Sequence, residues 1–149
     1  MVQAFRHRTI RAVLFDLDGT LYEYEPCNEF AKQELYAFLA KRLKKSKTTV
    51  EEKFLSVRAS VHRALRGTGA SHSRLLYIQK CIEAFAGKTD ASFTLEAHKF
   101  FWRKFLAKAI LRKGARELLQ ELRQKEIKVA IVSDFTSAMQ LRKMIHLGI

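Results

Sequence analysis

The sequence has few of the residues that mark several classes of protein. Its 149 residues include one proline, six glycines and two cysteines. Cys27 and Cys81 belong to no C-x-x-C motif and have no histidine at the spacing of a metal ligand. This argues against a disulfide framework and against a zinc site. We therefore expect the protein to work in a reducing compartment, the cytoplasm.

Long hydrophobic runs are missing as well. No apolar stretch reaches about 18 residues, so we expect no membrane span. Residues 1–8 are basic but lack the apolar segment of a secretory signal, and none is predicted. Hydrophobic residues nonetheless make up 48% of the chain and include 11 phenylalanines, which need burial. This composition excludes disorder as the main state and predicts a compact core.

Acidic residues are the minority among the charged ones. The chain has 28 basic and 15 acidic residues, and residues 26–113 carry +12 of the net charge of +13. A basic surface attracts phosphate groups, so a nucleic-acid-binding module is one alternative function. Solvated helix faces, such as the basic run 41–45, have the same composition, and no recognition motif accompanies them. We therefore expect no nucleic-acid partner.

Two short apolar runs, residues 11–16 and 127–132, predict β-strands that end in polar residues. Helical periodicity fills most of the remaining chain. The predicted helices begin at Pro26, Thr48, Ser73, about Ser92, Ala115 and Ser137. A strand–helix–strand crossover predicts an α/β fold with a parallel sheet. Two strands are too few for such a sheet, so we expect a second copy or a C-terminal segment to complete it.

The strongest chemical signal is the run Asp16–Thr20, DLDGT, at the end of the first predicted strand. Reacting groups of α/β proteins sit at the carboxyl ends of strands, and Gly19 permits a sharp turn there. One carboxylate of such a pair can attack phosphorus while the other moves protons. The pair is highly negative, so a phosphate dianion approaches only with a hard cation, and Mg²⁺ fits oxygen ligands.

Residues 15–22, FDLDGTLY, resemble the first motif of the haloacid dehalogenase superfamily of phosphohydrolases. The run Ile131–Asp134, IVSD, resembles their second motif, and residues 114–122 resemble the helix that precedes it. The resemblance covers the chain after residue 10. It implies a Rossmann-like α/β core formed by residues 1–23 and 113–149, with residues 24–112 inserted as a helical cap over the active site.

The resemblance implies a role for each matching residue. Asp16 would be the nucleophile that forms an aspartyl-phosphate, and Asp18 would protonate the leaving group and then activate water. Mg²⁺ would bind the Asp16 carboxylate and the Asp18 backbone carbonyl. The phosphate group of the substrate would be held by Ser133, by the backbone N–H of Asp134 and by Thr20, which also supports the turn.

The implied activity is Mg²⁺-dependent hydrolysis of a phosphomonoester, with a small phosphorylated metabolite as substrate. One alternative is a phosphosugar mutase, in which a second hydroxyl accepts the phosphoryl group. Another is a catalytically incomplete N-terminal fragment or split half that needs a partner chain. Similar proteins have a lysine and an acidic pair downstream of the second motif, whereas the 15 residues after Asp134 contain no acid.

The loop over residues 66–74 connects two helices of the expected cap. It is rich in glycine, polar and basic residues. Arg66, His72 and Arg74 are therefore candidate specificity residues. An ordinary solvated connection would explain the same composition equally well.

Overall fold

The computed structural model of the chain describes residues 10–149. The basic segment 1–8, in which we predict no secretory signal, lies outside these residues. Among the described helices, none is both long and apolar enough to cross a membrane.

The described chain contains two strands and six α-helices. In chain order they are β1 (Ala12–Phe15), α1 (Tyr24–Leu43), α2 (Lys47–Ala64), a 3-10 turn (Gly69–His72), α3 (Arg74–Ala86), α4 (Ala91–Lys108), α5 (Ala115–Gln124), β2 (Lys128–Ile131) and α6 (Ser137–Leu147). This order confirms the predicted α/β fold. Each strand is one residue shorter at both ends than the apolar run that predicts it.

The two strands form a parallel sheet in which Ala12 pairs with Lys128 and Phe15 with Ile131. The Val132 N–H donates to the Phe15 carbonyl at 2.8 Å, which extends the pairing past the end of β2. Parallel strands end at the same edge of a sheet. The polar residues that follow β1 and β2 therefore emerge side by side.

Contacts divide the chain into two compact units. The first contains the described residues up to Pro26 together with Ala109–Ile149, and the second is Cys27–Lys108. We call them the core unit and the helical unit. The interpretation of the helical unit as a cap stays a prediction.

Aromatic side chains build the interior of the helical unit. Phe54 is completely buried between Tyr36 and Tyr77, with ring centroids 5.3 and 6.2 Å away in edge-to-face geometry. Trp102 and Phe105 form a third pair of this kind, at 5.2 Å. Such pairs are favoured because the positive ring edge meets the negative ring face. Four of the described phenylalanines, Phe54, Phe93, Phe101 and Phe105, are buried in this interior.

The ends of the helices depend on local hydrogen bonds. The sequence predicts that α2 begins at Thr48, and this is wrong. Ser46 is the N-cap, and its Oγ accepts from the Thr49 N–H at 3.0 Å. Ser46 does this because a short hydroxyl side chain in extended backbone reaches the N3 amide. Helix α3 begins after Ser73 and ends at Gly87, which adopts a left-handed conformation with φ 70°.

Large apolar side chains remain exposed on the core unit. Leu14, Val132, Leu141 and Ile145 have exposed fractions of 67, 58, 57 and 79%. Parallel sheets are normally covered on both faces. The expectation that a second copy or a further segment completes the sheet is compatible with this exposure and stays a prediction.

Cys81 offers a test of the interior of the helical unit. Burial raises the pKa of its thiol from 9.0 to about 12. At pH 8 the reactive thiolate is then about a thousandfold scarcer than in the unfolded chain. We expect iodoacetamide to label Cys81 about a thousandfold more slowly in the native protein than in guanidinium chloride. Mass spectrometry of the digested protein measures this, and equal labelling rates would contradict the burial.

Gly19 offers a test of the turn after β1. Its φ is 85°, and no atom lies within 4 Å of where a Cβ would be. Gly19→Ala is therefore expected to lower the free energy of unfolding by about 1–2 kcal/mol through backbone strain alone. The matched control is Gly69→Ala, where space is equally open and φ is not positive. Urea unfolding compares the two variants, and an equal effect would refute the strain.

Candidate active site

The turn after β1 carries the first candidate residues. Leu17 and Leu21 are buried, and the Leu21 N–H donates to the Leu17 carbonyl at 3.1 Å, which closes the turn. Asp16 and Thr20 lie on its exposed side, where the Thr20 hydroxyl donates to Asp16 Oδ2 at 2.9 Å. The apolar anchors and the polar pair thus point to opposite sides of one short segment. This leaves the Asp16 carboxylate open to solvent.

Asp18 faces the interior of the core unit. Its side chain is 22% exposed, and both carboxylate oxygens lie 2.7 Å from Lys143 Nζ. The Tyr22 hydroxyl donates to Oδ1, and Gln140 Nε2 donates to Oδ2 at 3.2 Å. These four hydrogen bonds fix the orientation of the carboxylate.

Lys143 is completely buried, which is rare for a lysine. Its ammonium lies 5.0 Å from the Phe135 ring centroid and 5.4 and 5.9 Å from those of Tyr24 and Tyr22. Aromatic faces attract a cation but do not replace its lost hydration. The Asp18 carboxylate provides the opposite charge that a buried ammonium requires.

Ser133 follows β2 and joins the same network. Gln140 Nε2 donates to the Ser133 Oγ as well as to Asp18. Since the amide is the donor, the Ser133 hydroxyl keeps its own hydrogen for another acceptor. The other amide atom, Gln140 Oε1, is buried and has no hydrogen-bond partner among residues 10–149. Asp134 is exposed beside Ser133.

Arg112 holds the outer side of the turn. Its Nη2 donates to the Gly19 carbonyl and its Nη1 to Glu23, each at 3.1 Å. The Arg112 N–H also donates to the Leu21 carbonyl at 2.8 Å. These hydrogen bonds connect the segment that follows the helical unit to the turn that carries Asp16.

Of the predicted site residues, the structure links Asp16 to Thr20 and Asp18 to Ser133, the latter pair through Gln140. The three candidate specificity residues belong to the helical unit. Arg66 and His72 are exposed. Arg74 is instead engaged in packing: it donates to Asn28 Oδ1 at 2.8 Å and lies 4.6 Å from the Phe101 ring centroid.

Sequence reasoning missed Lys143, Gln140 and Tyr22. The signal was available in α6, whose inward face carries Gln140 and Lys143 between the buried Met139 and Leu147. Two polar residues one turn apart on an apolar face require partners. The sequence alone does not say which carboxylate provides them.

The residues present fit a magnesium ion. Within residues 10–149, no three His, Cys, Asp or Glu side chains are grouped to hold a metal. Mg²⁺ usually needs only one or two carboxylates, and takes water and substrate phosphate as its other ligands. Asp16 offers an exposed carboxylate, whereas the Asp18 carboxylate is already occupied by its donors. Asp18 could therefore contribute its main-chain oxygen only.

Comparison with known proteins identifies the family. The haloacid dehalogenase-like hydrolase family matches residues 10–149. A ribulose-1,5-bisphosphate 5-phosphatase from Halopiger xanaduensis is 35% identical over an alignment of 146 residues that covers 93% of this chain. The chain spans 58% of the length of that relative.

Two solved structures share the fold. A candidate beta-phosphoglucomutase from Thermotoga maritima has a TM-score of 0.58 at 23% identity, covering 93% of this chain and 56% of its own. A candidate HAD-hydrolase, YfnB from Bacillus subtilis, solved with magnesium bound, has a TM-score of 0.55 at 17% identity, covering 95% and 61%. The family match over the whole described chain confirms the resemblance of the two motifs: this protein belongs to the haloacid dehalogenase-like hydrolases.

Proposed function

We propose that the core unit carries the reacting groups of a phosphomonoester hydrolase, and that Asp16 is its nucleophile and Asp18 its acid and base. The observation that supports this best is the difference between the two carboxylates. Asp16 is open to solvent at the end of β1, whereas Asp18 is held by four hydrogen bonds. A nucleophile needs access to the substrate, and a group that transfers protons needs a fixed position.

The reaction we propose has two steps. Asp16 attacks phosphorus and forms an aspartyl-phosphate while the bond to the leaving oxygen breaks. That oxygen takes a proton from Asp18, which becomes protonated when the Lys143 ammonium passes a proton to it within the ion pair. Water then attacks the phosphorus and gives its proton to Asp18, and the bond to Asp16 breaks. Phosphate leaves, and both carboxyl groups return to their starting state.

The phosphoryl group needs donors and a cation around it. We assign the Ser133 hydroxyl, whose hydrogen is directed away from Gln140, and the backbone N–H of Asp134 to its oxygens. We propose that the Thr20 hydroxyl orients the Asp16 carboxylate and also lies beside the phosphoryl group. The Asp16 carboxylate and the Asp18 main-chain oxygen are the proposed ligands of Mg²⁺, which when bound would neutralise negative charge at the phosphate.

The substrate class that we propose is a small phosphorylated sugar. The relative from Halopiger xanaduensis supports this because it is named as a phosphatase of a sugar bisphosphate. The candidate specificity residues stay a prediction: Arg66 and His72 are exposed, whereas Arg74 is engaged with Asn28 and Phe101.

The nucleophile is tested by release of phosphate from p-nitrophenyl phosphate with Mg²⁺. Asp16→Asn keeps the size of the side chain and removes the attacking oxygen, so we expect kcat to fall by at least about a thousandfold. We expect a chelator that removes Mg²⁺ to stop phosphate release by the unmodified protein, and added Mg²⁺ to restore that activity. Asp134→Asn is the matched control, since only the main chain of that residue is assigned a role.

Unchanged activity of Asp16→Asn would exclude Asp16 as the nucleophile. Transfer of the phosphoryl group to an added sugar rather than to water would establish a mutase in place of a hydrolase.

A further inference from the structure

Helix α6 contributes two side chains to the candidate site for which the family motifs in the sequence give no role. Gln140 and Lys143 are separated by one helical turn, so both project from the same face. That face is buried, with Gln140 6% and Lys143 0% exposed. Both donate to the Asp18 carboxylate.

The position of these donors is well fixed. Met139 and Leu147, near the two ends of α6, are also buried. At the far end, Arg116 Nη2 of α5 donates to the Leu147 carbonyl at 3.0 Å. Side chains mounted on an anchored helix are held more precisely than side chains on loops.

The chemistry of the two donors differs. Lys143 Nζ lies at the same 2.7 Å from both oxygens of Asp18, so it fixes the direction of the carboxylate as a whole. Gln140 uses its amide to join Asp18 Oδ2 to Ser133 Oγ, and so sets the spacing between the two groups. An amide nitrogen only donates, so the Ser133 hydrogen is directed elsewhere.

We propose that Gln140 and Lys143 form a clamp that positions the Asp18 carboxylate for proton transfer and orients the Ser133 hydroxyl. Both are positioning residues, since they act through Asp18 and Ser133. The inference rests on the function proposed above, in which Asp18 gives a proton to the leaving oxygen. A small error in position of such a group costs about a hundredfold in rate.

Leaving groups of different basicity separate this role from a merely structural one. Phenyl phosphate needs a proton on its departing oxygen, whereas 2,4-dinitrophenyl phosphate leaves without one. Lys143→Met removes the ammonium and keeps the length of the side chain. We expect it to lower kcat/KM about a hundredfold for phenyl phosphate and less than about fivefold for the dinitrophenyl ester.

A control variant and a double variant test whether Lys143 acts through Asp18. Arg142→Met removes the neighbouring, exposed cation of α6 and is expected to change neither value more than about twofold. In an Asp18→Asn background, Lys143→Met is expected to cause no further loss, because the group on which it acts has gone. Gln140→Met, which removes the second donor, is expected to show the same preference between esters and replaces Lys143→Met if that variant does not fold.

Two results would overturn the clamp while leaving the hydrolase intact. One is an equal loss of kcat/KM for both esters in the variants. The other is a further large loss from Lys143→Met when Asp18 is already asparagine. If the unmodified protein releases phosphate from neither ester, the proposed hydrolase fails, and the clamp fails with it.

Discussion

The ion pair between Asp18 and Lys143 is the interaction on which the core unit depends. Both oxygens of the carboxylate contact a completely buried ammonium, so neither charge can be removed without stranding the other. The pair joins the turn after β1 to the helix after β2. Around it, Tyr22 and Gln140 complete the hydrogen bonds of the carboxylate. The network leaves Asp16 outside it, so the two carboxylates lie in different surroundings.

Much of the fold could be predicted from the sequence, because apolar runs and helical periodicity are local signals. Six helices and two strands appear in the predicted order, and α6 begins at the predicted residue, Ser137. The start of α2 was wrong, because Ser46 and Thr48 both carry hydroxyls and only the backbone geometry decides which one caps the helix. The haloacid dehalogenase-like family could also be predicted, because the motif DLDGT directly follows an apolar strand.

Only part of the candidate site could be predicted from the sequence. Asp16, Asp18 and Ser133 end strands, and the rule that parallel strands end together brings them to one edge. Gln140 and Lys143 could not be assigned in the same way. Their partner, Asp18, is more than a hundred residues away in sequence, and no local pattern encodes that pairing. Arg74 shows the converse, because its basic loop gave no sign that its side chain packs on Phe101.

The wide sequence separation of β1 and β2 has a consequence for how the protein folds. The pairing of Ala12 with Lys128 closes a loop that contains the whole helical unit, Cys27–Lys108. Contacts of long sequence separation form later than local ones, because loop closure costs chain entropy first. During synthesis, α1 to α4 can be complete before β2 exists. Asp18 and Lys143 can therefore meet only after the helices between them have been synthesised.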